Sequence, residues 1–155
     1  MPRRCRGFTL LEMMIVIVLI GVLVGMVSLA AGVNPAQQAR QEAGALAGFI
    51  RQLREQAVLE GREYGVRLSV EGYRAMRLDG RGWEPLAAFY RWPDGLRLSL
   101  EQEGYSMSLG ADAGQPQIQL YSSDETSTFS LTFAGKDRVW ASLSSDGVGE
   151  VMIDD

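Results

Sequence analysis

AQQARQEAGALAGFIRQLREQAVLE, residues 36–60, decides how this chain is built. Ala39, Ala43, Leu46, Ile50, Leu53 and Ala57 recur at alternating steps of four and three. That spacing keeps returning to one side of a 3.6-residue turn, so it predicts an amphipathic helix with a single buried stripe. Arg40, Arg51, Arg54 and Glu55 lie off the stripe. A helix with one apolar face needs another layer to cover that face.

The covering layer follows directly. After Gly61 the period changes from helical to two: Val66, Leu68 and Val70 alternate with Arg67, Ser69 and Glu71. Glu71-Gly72 then offers a hairpin loop into residues 73–78, and residues 79–82 (DGRG) turn the chain again. Beyond the Pro93-Asp94-Gly95 turn, Leu96, Leu98 and Leu100 alternate with Arg97, Ser99 and Glu101. Residues 106–109, 117–121, 127–133, 138–143 and 150–153 read as further strands, with Phe129, Leu131 and Phe133 on one side of theirs. Residues 110–116 read as a mobile loop between strands. Short strands separated by Gly- and Asp-rich turns predict antiparallel sheets with one buried face. The expected class is α+β: a long N-terminal helix, transmembrane then amphipathic, packed on a C-terminal antiparallel β-sandwich of two sheets. Trp83, Trp92, Trp140 and Tyr90 are expected to pack in the core or on a sheet face, the alternative being an exposed recognition patch.

Upstream, Asn34-Pro35 marks a break, with asparagine suited to cap the helix that follows. Before it, residues 13–31 contain one polar side chain, Ser28, and between Phe8 and Ala39 the one formally charged residue is Glu12. About 20 apolar residues suffice to span a bilayer as a helix. Arg3, Arg4 and Arg6 precede the block and favour an N-terminus on the cytoplasmic side. A cleaved secretory signal ending at Ser28-Leu29-Ala30 competes with this reading, as does a plain anchor. Glu12 argues against both, because an ionised carboxylate beside an apolar segment is costly without a partner.

Gly7-Phe8-Thr9-Leu10-Leu11-Glu12, a basic leader before it and the apolar run after it resemble the N-terminus of type IV pilins and type II secretion pseudopilins. The resemblance implies cleavage after Gly7 by a prepilin peptidase, N-methylation of the new N-terminal Phe8, and pairing of Glu12 with the positive N-terminus of a neighbouring subunit. The chemistry suits these roles. Gly7 fits a narrow protease cleft, and a carboxylate and an ammonium in low dielectric neutralise each other. The implied organisation is a cleaved leader at 1–7, a transmembrane and filament-core half-helix at 8–33, an amphipathic half-helix at 36–60 and a periplasmic β-rich domain at 61–155. Gly21 and Gly25 would allow close helix packing there.

The body is most similar to the minor pseudopilin H family, given its many strands, its lack of disulfides and its C-terminal Ser145-Asp146-Gly147-Val148-Gly149-Glu150-Val151. That resemblance implies an inner-membrane, single-pass subunit with a periplasmic body, placed near the tip of a pseudopilus and linking the tip complex to the shaft. Implied partners are the other minor pseudopilins, the major pseudopilin, the prepilin peptidase/methyltransferase and the inner-membrane assembly platform. A type IV pilus minor pilin, serving pilus assembly, adhesion or DNA uptake, is the alternative.

Composition narrows the chemistry. The 155 residues include no histidine and one cysteine, Cys5, so the commonest general base and metal ligand are missing and no intramolecular disulfide can form. The serines of residues 106–145 therefore have no histidine to activate them. No P-loop, dinucleotide fingerprint or EF-hand spacing occurs. The chain is expected to be no enzyme, with no catalytic residue, cofactor or metal. Without the three leader arginines, 12 basic residues face 19 acidic ones, a net charge of −7 that disfavours nucleic acid.

Overall fold

The computed structural model describes residues 10–30, 34–86 and 89–154, with the side chains of the first helix described over 10–23. The chain divides into two units, Met1–Val33 and Asn34–Asp155. In the first, α1 (Leu10–Ala30) is a 21-residue helix with Glu12 in its first turn. In the second, α2 (Pro35–Glu60) begins at the expected break. Asn34 is the N-cap, its side-chain oxygen accepting the Ala36 N–H at 3.1 Å, and Pro35 takes the first turn, where its missing N–H costs nothing. Gly61 closes the helix in the left-handed conformation (φ 62°), its N–H bonded to the Ala57 carbonyl.

The six stripe residues expected from sequence are the six buried residues of α2, none more than 5% exposed. Helix α2 packs mainly against the strand at 139–145 and also reaches those at 64–68, 118–120, 129–134 and 152–154. Among the described residues, ten strands form two antiparallel sheets of five. The first joins β3 (Gly82–Pro85), β2 (Gly72–Asp79), β1 (Tyr64–Leu68) and β7 (Ile118–Leu120) in that order, with β4 (Tyr90–Arg91) also beside β2. The second runs β10 (Met152–Asp154), β9 (Val139–Ser145), β8 (Phe129–Ala134), β5 (Arg97–Gln102) and β6 (Tyr105–Met107). Leu131 stands opposite both Leu100 and Leu143, and all three are fully buried, so they form the centre of the second sheet's inner face. Each such leucine contributes roughly 1.5–3 kcal/mol by leaving water.

The α+β expectation therefore holds, with local differences. β1 ends at Leu68, and Val70 is 62% exposed whereas Ser69 is fully buried. A turn captures Ser69: its hydroxyl accepts the Gly72 N–H and donates to the Gly72 carbonyl. β3 and β4, in residues 82–91, carry no alternating apolar pattern, and pairing to β2 is what makes them strands. At that junction Gly72 is obligatory, because a Cβ there would strike the Tyr90 carbonyl and the Phe89 ring. The loop 110–116, expected to be mobile, is fastened to the first sheet. Asp112 pairs with Arg67 at 2.7 Å and with Arg74, and Arg67 also donates to the Gly114 carbonyl. Two arginines on adjacent strands thus share one carboxylate.

Candidate filament-assembly site

Gly7 and Phe8 lie outside the described residues, as do Cys5 and residues 31–33. Glu12 is described: it is exposed, in the first turn of α1, where its charge complements the positive end of the helix dipole. Around it the large apolar side chains from Leu10 to Leu23 are 42–80% exposed. A surface this apolar on every side is built to be covered by lipid or by other helices. Among the residues with described side chains, which in α1 end at 23, no helix is long and apolar enough to cross a membrane.

Two concave regions of the described body lie beside α2. Phe49, Tyr73 and Tyr90 touch one another with ring centroids 5.3–5.4 Å apart, and Trp92 continues the cluster inward to Phe133. Trp92 is buried and its indole N–H donates to the Ser69 carbonyl at 3.0 Å, while Tyr90 remains 45% exposed. The aromatics that sequence grouped together thus divide, with Trp92 in the core, Trp83 and Trp140 half-buried and Tyr90 at the rim. Burial pushes the Tyr73 phenol above its ordinary range, with lesser contributions from Glu42 and Tyr90, and burial also raises the Glu42 carboxyl. The second region is a groove of about 600 Å³ between α2 and the C-terminal segment, bordered by Gly44, Gly48, Arg51, Val148, Glu150 and Ile153.

Arg54, at the end of that groove, is the residue sequence reading left undistinguished. Its guanidinium donates to the Asp124 carboxylate (2.7 Å) and to the carbonyls of Asp124 (2.7 Å), Gly149 (2.7 Å) and Val148 (3.1 Å). Its side chain is 14% exposed. The signal available in sequence was weak: an arginine next to Leu53 of the buried stripe, with partners 70 and 95 residues away. Among the described residues no group of three or more His, Cys, Asp or Glu side chains is placed to hold a metal ion.

The prokaryotic N-terminal methylation motif matches residues 2–28, and the family described as type II transport protein GspH matches residues 37–147. The chain belongs to the GspH family, the minor pseudopilins of type II secretion. Type II secretion system protein H of Pseudomonas aeruginosa is 39% identical over 160 residues, covering 94% of this chain and 93% of that protein. The Aeromonas hydrophila protein of the same name is 26% identical over 171 residues, covering 97% and 93%. The minor pseudopilin EpsH from the type 2 secretion system of Vibrio cholerae shares the fold (TM-score 0.65, 21% identity, 75% of this chain and 94% of that one). So does the solution structure of Escherichia coli GspH (TM-score 0.64, 20% identity, 77% and 89%). Helix α2 and both sheets fall largely within the GspH match, and Glu12 falls within the methylation match.

Proposed function

We propose that this GspH-family chain is made as a membrane-inserted precursor, cut between Gly7 and Phe8, methylated on Phe8, and drawn into a periplasmic pseudopilus through Glu12. The methylation-motif match over residues 2–28 supports this reading, because that stretch contains the basic leader, Gly7, Phe8 and Glu12. The apolar run anchors the chain in the inner membrane, and residues 36–155 stand on the periplasmic side. Cleavage creates an ammonium group at Phe8. Paired between subunits, that group and the Glu12 carboxylate fix the stagger of adjacent helices, since two opposite charges in low dielectric do not stay apart.

In this reading the chain acts as a structural link near the filament tip, joining the other minor pseudopilins to the major pseudopilin and engaging the inner-membrane assembly platform. It supports export of folded proteins across the outer membrane and performs no catalysis itself. The type II secretion names of the relatives favour this over a role in a type IV pilus. Intact-mass spectrometry of the protein from cells containing the peptidase is expected to give a chain beginning with N-methyl-Phe8. A chain beginning at Met1 or at Ala31 would overturn the processing scheme.

A further inference from the structure

Residues after Gly147 reach the end of the described chain with little apolar anchorage. Val148 is 73% exposed, Met152 56% and Ile153 44%, and Gly149 and Glu150 are exposed. β10 is three residues long, lies at the sheet edge and pairs only with residues 142–144 of β9. Val151, packed partly on the core, is the main apolar contact of the segment. Such a segment would fray unless something else held it.

Asp146 closes the local turn by accepting the Val148 and Gly149 N–H groups, and Arg54 supplies the hold that ties the segment to the rest of the body. One guanidinium bridges two loops: the turn at Asp124, where it takes the carboxylate and the carbonyl, and the segment, where it takes the carbonyls of Val148 and Gly149. Charge-assisted bonds of 2.7 Å to a planar fork are stronger than neutral ones, and the Arg54 side chain itself is largely covered although Asp124 is exposed. The upstream end is fixed separately. The Gly147 carbonyl accepts the Thr126 N–H at 2.8 Å, and Gly147 adopts φ 97°, a conformation suited to a pivot. We propose that Arg54 is an electrostatic latch that holds residues 148–154 as a strap along the groove beside α2. Releasing it lets the strap swing about Gly147, which opens the groove and bares the edge of β9.

Hydrogen–deuterium exchange on the full chain in detergent micelles tests this. Arg54→Ala is expected to speed exchange of the amides of residues 148–154 and of their β9 partners by about tenfold or more, while β1 and β2 keep their protection. Free guanidinium ion at low-millimolar concentration, which can enter the vacated fork, is expected to restore protection in Arg54→Ala and leave the wild type unchanged. Arg54→Lys, a point charge without the fork, is expected to exchange at an intermediate rate. Unchanged exchange of the strap in Arg54→Ala would overturn the latch. So would faster exchange spread equally over both sheets, or failure of guanidinium to slow it.

Discussion

Asp146 closes its own turn, accepting the backbone N–H groups of Gly149 (2.9 Å) and Val148 (3.1 Å), and those two bonds hold its carboxyl below the usual carboxylate range. A carboxyl with a depressed folded pKa contributes stability that is present above its unfolded value, roughly 3.9, and is lost as pH falls through the folded value. Melting curves recorded from pH 5 downward are therefore expected to fall less steeply below about pH 4 for Asp146→Asn than for the wild type. Parallel curves would show that the turn does not depend on the charge. Residue-scale detail was partly legible in sequence. Asn34 was readable as a cap because the contact is local, spanning two positions. Arg54 was not, because its partners become neighbours only after both sheets are assembled.

Helix α2 was the most legible element. Its stripe was readable because helical periodicity is a property of the segment itself, and all six predicted positions are buried. Ile50 is fully buried, so Ile50→Ala is expected to lose about 2–5 kcal/mol, measured by denaturant unfolding, with secondary structure retained under native conditions. A loss under about 1 kcal/mol would mean that the helix is not held by this stripe. β8 was equally readable from Phe129, Leu131 and Phe133, which are buried in strict alternation. β3 and β4 were missed because edge strands bury little. Their residues are half-buried or exposed, so no alternation was imposed on their sequence. Gln117 shows the limit from the other side: its side-chain amide accepts the Leu68 N–H and donates to the Leu68 carbonyl, continuing the ladder where the β7 backbone has stopped.

At the scale of the molecule, the two units divide the work. Apart from Glu12, α1 presents an apolar described surface, and the second unit encloses a core in which α2 and both sheets meet. On the proposed assembly, Glu12→Ala leaves insertion and cleavage intact and removes one half of a buried pair, a loss of roughly 3–5 kcal/mol. Incorporation into the filament is then expected to fall by about a hundredfold or more, read as loss of secreted protein in the culture medium while fractionation and mass spectrometry show a normally processed subunit. Secretion at the wild-type level in that variant would remove the assembly role from Glu12. By itself the sequence determined the features that depend on neighbours along the chain: the α2 stripe, its N-cap, the alternation of the buried strands, and the hexapeptide 7–12 with its apolar run. Only the tertiary structure decided the strand order, the shared carboxylate of Asp112, the place of Gly72 beneath β4 and the hold of Arg54 on the C-terminal segment. Each of those joins residues far apart in sequence through one or two polar or steric contacts, and such contacts leave no period behind them.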